Sequence, residues 1–298
     1  MKATRVVAVL ALLLAACAGD ESYTKQSAVR TGPATPSATP SPTPTAEDVP
    51  TWPLTGLPAP DGVADRPALV VKVDNSGAAE PQVGLSSADL VVEGLVEGGL
   101  TRLAAIYHST LPEQVVPVRS IRTTDIGIVL PTDGALVASG GAQRVLGMMD
   151  DAGVPVIGEG AAGFSRVSGR SAPYNVAVDP DRTLSDVPDL GPPEAPYLPW
   201  AEPDAAQLEG EAVAEAAVSF SGAHTTGWRL ADGSWTRQPT LAAPGDEFAA
   251  ANVLVLYVQI RDAGYTDPAG NFVPETVLEG SGEALLLAGG TAVEAEWS

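Results

Sequence analysis

Prolines divide this chain before any other signal is read. Pro33, Pro36, Pro40, Pro42 and Pro44 crowd one stretch, and Pro180, Pro188, Pro192, Pro193, Pro196, Pro199 and Pro203 crowd another. Each proline removes a backbone donor and fixes φ, so neither stretch can run as a regular helix or an inner strand. The 298 residues therefore divide into a leader over 1–16, a tether over 17–50, a first domain over 51–178, a proline-rich joint over 179–203 and a second domain over 204–298.

The leader reads as a secretion signal, with Lys2 and Arg5 ahead of the apolar run Val6 to Leu14, far short of the ~20 residues that cross a bilayer. It closes on Leu14-Ala15-Ala16-Cys17, which resembles a bacterial lipobox. The resemblance implies cleavage before Cys17 and lipid on its thiol and new amino group, so contact with the membrane is expected through that lipid. The tether is dominated by Ser, Thr, Ala, Gly and Pro. Such a stretch cannot bury apolar surface and favours extended polyproline II, reaching up to ~100 Å. It is expected to be disordered and to hold the folded part off the membrane face.

Composition excludes several functions. There are 37 acidic against 16 basic side chains, a formal charge of -21, which argues against a nucleic-acid partner because tracking phosphates needs clustered Lys and Arg. Cys17 is the one cysteine, so neither an internal disulfide nor a multi-cysteine zinc site can form. The two histidines, His108 and His224, lie outside any HExxH pattern, and GxSxG, GxxxxGK[ST] and CxxC are all missing. No cofactor or metal is expected.

The first domain alternates strands with short helices, an α/β or α+β pattern. Ala68 to Asp74 is a buried strand, and Asp89 to Val96 and Leu100 to His108 flank Gly98-Gly99 as a two-residue hairpin. Ser120 is placed to cap a helix from Ile121 to Leu130, stopped by Pro131. Ala135 to Ala138 reads as a strand, Gly140-Gly141 opens a helix to about Asp151, and Pro155 to Ile157 and Asn175 to Val178 add strands. Beyond the joint the signals are mostly β: a strand from Ala212 to Phe220, a hairpin about Asp232-Gly233, a central strand from Asn252 to Ile260, a loop from Asp262 to Asn271 and a last hairpin at Gly289-Gly290. The chain stops at Trp297-Ser298 at the end of a strand, so the second domain is expected to be truncated.

Several stretches together resemble the YerB lipoprotein family of extracytoplasmic bacterial proteins. They are Pro53-Leu54-Thr55-Gly56, VDNS at Val73 to Ser76, the run from Pro81 to Tyr107, PVRSIR from Pro117, Ser139 to Gly141, Arg170 to Asn175, NVLVLYV from Asn252 and the GSGEALLL stretch. The resemblance implies an N-terminal plus a C-terminal domain and an extracytoplasmic location, and it brings no established reaction. Tyr174 and Ala138 stand where the resemblance leads one to expect histidines.

The candidate site residues are arginines in a chain that uses few cations. Arg102 follows the first hairpin, Arg119 and Arg122 bracket the expected helix start, and Arg166 and Arg170 precede Asn175. A guanidinium fork suits carboxylate or phosphate, and a helix amino end beside it would add to the site. Gly140 and Gly141 could offer backbone N–H groups to the same anion, or simply make a tight turn. Glu93 and Glu97 are either the arginines' partners or a catalytic carboxylate pair. With a two-residue turn they share a sheet face with Arg102, whose charge opposes the raised pKa that a general acid needs. The face formed by Trp228, Leu230, Trp235 and Arg237 is either core or a stacking platform.

The leading expectation is a membrane-anchored, non-catalytic binding or assembly factor of the cell envelope with an arginine-lined anion site, its partner an anionic envelope ligand or an envelope protein. The alternatives are an enzyme acting on an envelope glycan or a polyprenyl-phosphate-linked precursor, and a structural adaptor whose arginines tie the two domains together.

Overall fold

The computed structural model describes residues 49–200 and 208–298. Cys17, the leader and nearly all of the tether lie outside the described residues. No helix among the described residues is long and apolar enough to cross a membrane.

The first region is built on a mixed five-stranded sheet of β1 (Leu69–Asp74), β2 (Leu90–Leu95), β3 (Thr101–Tyr107), β4 (Ala135–Val137) and β5 (Val156–Ile157) in the order β2-β3-β1-β4-β5. β3 is antiparallel to β1 and β2, while β1, β4 and β5 are parallel. β1 is buried along its whole length, which is why its sequence does not alternate. Leu69, Val71 and Val73 join Leu103, Ala105 and Tyr107 on one face, closed by the hairpin of β6 (Phe164–Arg166) and β7 (Val176–Val178). Val70, Ala104, Ile106 and Leu136 face the other way, closed by Ile128 and Val129 of α1 (Asp125–Val129) and by Val145 and Met149 of α2 (Gln143–Asp151). The i, i+4 spacing of Val145 and Met149 turns one stripe of α2 inward.

The helix expected over 121–130 shortens to α1. Residues before it run extended, because Arg119 N–H donates to Lys72 O (2.9 Å) and Ile121 N–H to Gly140 O (2.9 Å). Arg122 N–H is taken by Asp125 Oδ2 at 2.7 Å, so the helix begins only there. Pro131 lies in the 3₁₀ turn Leu130–Thr132 that ends it. The proline-rich joint is more ordered than its composition suggests. It holds α3 (Pro180–Thr183), capped by the Asp179 side chain, and Leu184, Val187 and Leu190 pack on the first core. Farther on, Tyr197 N–H and Trp200 Nε1–H both donate to Pro53 O, at 3.0 and 2.8 Å.

The second region is mostly β: β8 (Glu211–Ala212), β9 (Glu215–Ser219), β10 (Thr225–Ala231), β11 (Ser234–Gln238), β12 (Asn252–Leu256), β13 (Ile260–Thr266), β14 (Phe272–Thr276), β15 (Gly282–Ala288) and β16 (Thr291–Trp297). They form sheets ordered β11-β10-β9 and β12-β15-β16-β8 and the hairpin β13-β14, with Trp235, Val253 and Leu287 in the core between the two sheets. The expected strand 212–220 breaks into β8 and β9, which serve different sheets. The expected central strand is an edge: β12 ends its sheet and exposes Leu254 at 43%. The first half of the expected loop 262–271 is strand, and the turn narrows to Asp267–Asn271, tied by the Asp267 carboxylate. The turn at Asp232-Gly233 holds both residues at positive φ (51° and 80°) and pairs Trp228 with Arg237 and Leu230 with Trp235, the register its two-residue turn predicts.

Candidate functional site

The carboxyl ends of β1, β4 and β5 share one rim of the first sheet. Past Val71 and Val137, β1 and β4 stop pairing, and the segment Pro117–Ile121 enters between them. Asp74 N–H donates to Pro117 O (3.1 Å), and Ser139 N–H donates to Arg119 O (3.1 Å). The strand order sends β2 and β3 to one side of β1, and β4 and β5 to the other. In open α/β sheets the crevice outside the carboxyl ends at such a reversal is the usual place for a ligand. Arg119 stands at that rim.

On this face four cations meet three carboxylates among the described residues. Lys72 Nζ bonds Asp125 Oδ1 at 2.7 Å; burial pushes the ammonium below its ordinary range, and Asp125 only partly offsets that. Arg102 bonds Glu97 Oε1 at 2.9 Å and Ser120 O at 2.9 Å, with burial, then the charge of Arg122, lowering its pKa to about 10. Arg122 is fully engaged: Nε to Glu97 Oε2 at 2.7 Å, Nη2 to Glu97 Oε1, and Nη1 to Ile121 O at 2.7 Å. Burial alone would raise the Glu97 carboxyl, but the Arg122 bonds and the Arg102 charge outweigh it and hold it low.

Arg119 is different. Its Nε lies 2.7 Å from Asp74 Oδ2, with the N–H directed off that line, and its side chain is 17% exposed. The guanidinium carbon sits 5.2 Å from the centroid of the Tyr174 ring. Asp74 Oδ1 is occupied by Ser76. Among the described residues the terminal amino groups of Arg119 make no hydrogen bond, so the fork is positioned at its base and open at its tip.

The remaining sequence candidates do not gather there. Arg166 pairs with Glu159 and donates to Asn175 Oδ1 (2.7 Å) at the surface. Arg170 is spent on the carbonyls of Ala79 and Pro81. Gly141 has a packing reason: a Cβ there would collide with Ile121 Cγ1. Gly140 sits at φ +124° with open space around it. Because the helix starts at Asp125, neither Arg119 nor Arg122 flanks a helix amino end.

The first hairpin differs from expectation by one residue. Glu93 pairs with Leu103, Gly94 with Arg102 and Leu95 with Thr101, because Val96 N–H closes on Leu100 O (2.8 Å) in a turn longer than two residues. A slip of one moves every side chain to the other face. Glu93 and Glu97 therefore do not form a pair with Arg102: Glu97 reaches Arg102, and Glu93 serves the opposite face. There Glu93 Oε1 accepts from Asn75 Nδ2 (2.9 Å), Thr101 Oγ1 (2.7 Å) and Thr226 Oγ1 (2.8 Å) and lies 3.0 Å from His224 Nε2. Arg237 Nη2 donates to Asn75 Oδ1 at 2.9 Å, so it turns to the first domain rather than to Trp228, while Trp235 is wholly buried core. Sequence reasoning missed Asn75, Thr226 and His224; the nearest pointer was the register of β10 and β11, which put Arg237 on one face with Trp228, Leu230 and Trp235 and left open whether that face is core or exposed.

Comparisons agree with this two-part architecture. Residues 54–192 match the protein of unknown function (DUF3048) N-terminal domain and residues 216–298 its C-terminal domain. A Bacillus subtilis (strain 168) protein, YerB, whose name marks it as a candidate lipoprotein, is 43% identical over 97 residues, which is 32% of this chain and 29% of the relative. The matched stretch thus spans under a third of that relative's length. The crystal structure of the YerB protein from Bacillus subtilis superposes with a TM-score of 0.69 at 24% identity, covering 83% of this chain and 87% of that one, a likeness of fold. With both domains matched in order and the same fold around them, the chain belongs to the YerB-like DUF3048 family.

Proposed function

We propose that this chain is a lipid-anchored, extracytoplasmic binding protein of the cell envelope that takes an anionic ligand, phosphorylated or carboxylated, at Arg119. One observation carries the reading: at the carboxyl rim of the parallel strands, Arg119 alone of the four cations keeps its tip exposed while its base is held by Asp74 and Tyr174. An arginine positioned in this way offers two parallel N–H donors to a planar or tetrahedral oxyanion. The lipobox-like sequence ending in Cys17 and the relative's name support the anchor.

The structural-adaptor reading also has a specific observation behind it. Arg102 and Arg122 are consumed by Glu97, and Arg237 joins the second domain to Asn75 of the first. The two readings assign different arginines and are compatible.

The test is a titration of the full chain with inorganic phosphate and with pyrophosphate at low salt, followed by calorimetry. Saturable binding is expected, weakened at least about tenfold in Arg119→Gln, as befits loss of a charged hydrogen-bond donor, and unchanged in Arg166→Gln. Equal affinity in Arg119→Gln, or no binding by the wild type, would remove Arg119 as the site.

A further inference from the structure

The described chain opens with a loop, 49–60, that shows apolar side chains to solvent. Trp52 N–H donates to Leu57 O (2.8 Å) and Ala59 N–H to Pro50 O (2.7 Å), which folds the loop back on itself. Leu54 and Ala59 go into the core, while Val49 is 50% exposed and Leu57 62%. Two neighbouring segments extend this surface. Trp200 packs so closely on Gly56 that a Cβ there would meet it at 2.5 Å, and its Nε1–H is satisfied by Pro53 O (2.8 Å). Both Trp200 and Trp52 are partly exposed. Tyr197 ties the loop to α1, its N–H donating to Pro53 O (3.0 Å) and its hydroxyl to Ile128 O (3.3 Å). Just past α1, Leu130 is 48% exposed.

Single apolar side chains on a surface need no explanation, but a group of them around one loop does. Place and chemistry decide what covers this group. Residues 17–48 lead directly from Cys17, where the proposed lipid attaches, to Val49. A chain of that composition spans about 30 Å as a coil and about 100 Å fully extended. The folded part is thereby kept near a bilayer, where a contact too weak to recruit a free protein becomes populated. Indole rings among aliphatic side chains suit the boundary between headgroups and acyl chains. Asp61, Asp133 and Glu194 beside the patch are exposed and acidic, so the attraction is apolar rather than a basic surface seeking anionic lipid. We infer that the folded part lies on the membrane surface through this patch, with Leu57 and Trp200 seated at the acyl boundary. The inference rests on the lipid anchor proposed above and adds the protein surface that meets the lipid; it does not depend on the anion at Arg119.

The mature chain, purified with its lipid, is reconstituted into vesicles of phosphatidylcholine brominated on the acyl chains, which quench indoles that reach them. Quenching is expected in the wild type and should fall at least about twofold in Leu57→Asp, because a carboxylate on the patch opposes its burial. Leu130→Asp is expected to act in the same way and serves if Leu57→Asp fails to fold. Phe272→Asp, the same change at a 50% exposed residue of β14, is expected to leave quenching as it is. Co-sedimentation with the vesicles reads the anchor separately. A chain that sediments but is not quenched, or is quenched equally in wild type and both patch variants, keeps its anchor and overturns the patch. A wild type left in solution removes the anchor and the patch with it. Self-association that is lost in Leu57→Asp while quenching stays unchanged would give the patch to a second copy of the chain and overturn the membrane contact.

Discussion

Glu93 and Glu97, four residues apart in one hairpin, reach opposite faces of the same sheet: Glu93 lies 3.0 Å from His224 Nε2 of the second domain, and Glu97 Oε1 accepts from Arg102 Nη2 at 2.9 Å within the first. One carboxylate joins domains, and the other holds a buried arginine pair. This division sets what each substitution should do.

Glu93→Gln keeps the shape but removes the charge that faces Arg237 and His224. Three donors to Oε1 can still be accepted by the amide oxygen, so the fold should persist. A cost of about 1–3 kcal/mol is expected, read as a lowered denaturation midpoint, with faster amide exchange in β10 and β11 where they meet the first domain. An unchanged midpoint and unchanged exchange would show that the junction does not depend on this carboxylate.

His108 should make the protein acid-sensitive. Burial holds its imidazole below the ordinary range, with the Ala64 carbonyl and Asp89 opposing and Arg66 assisting. Nε2 lies 3.2 Å from Ala64 O and so carries the proton, while Nδ1 is buried and bonds no atom among the described residues. Below about 6.5 the unfolded chain takes up a proton that the folded chain refuses. The stability contributed by this group is therefore present above about pH 6.5 and lost as pH falls towards the lowered folded value. Melting temperatures at pH 7.5, 6 and 5 should fall less steeply in His108→Phe, which keeps an aromatic ring against Trp52, than in the wild type. Parallel slopes would mean that His108 does not stay neutral.

Much of the scaffold was legible, and the limits have physical causes. β1 could be read because a strand buried on both faces leaves an unbroken apolar run, and the β10–β11 register because Asp232-Gly233 admits two positive φ values in a row. The first hairpin offered the same signal in Gly98-Gly99, also at positive φ (71° and 72°), but Glu97 joins them in a three-residue turn closed by Val96 and Leu100, which shifts the register by one. Helix α1 was overextended because the extended pairing of Ile121 with Gly140 is a tertiary contact that local capping signals do not report. The contact of Glu93 with His224 and Arg237 joins segments far apart in sequence, and neither segment carries a local mark of its partner.

Gly141 tests whether the Gly140-Gly141 pair serves packing. Gly141→Ala drives a Cβ into Ile121 Cγ1, and overpacking of this kind costs typically about 1–3 kcal/mol. Ile121→Ala removes the colliding atom, so the double variant should cost less than the sum of the singles, by about 0.5 kcal/mol or more. Additive costs would mean that the collision is not what makes glycine necessary.

The decisive comparison sets Arg122 against Arg119. Arg122 is 9% exposed and gives its whole fork to Glu97 and the Ile121 carbonyl. Removing it leaves Glu97 buried with Arg102 alone, and a broken buried pair costs about 3–5 kcal/mol. Arg119 is more open and holds Asp74 only by its base, while Asp74 keeps its bonds from Ser76. Its loss leaves Asp74 with the Ser76 bonds but without its counter-ion, and losing a single charged contact of this kind costs about 1–3 kcal/mol. Urea titrations of Arg119→Ala and Arg122→Ala should both show a loss, with Arg122→Ala the weaker protein because three hydrogen bonds go with its side chain. The anion-binding reading adds a second condition: phosphate should raise the midpoint of the wild type and of Arg122→Ala, if that variant remains folded, but not of Arg119→Ala, because a ligand stabilises only a state that binds it. Equal stability losses in the two variants would place Arg119 among the structural pairs, and phosphate stabilisation surviving in Arg119→Ala would place the anion elsewhere on the molecule.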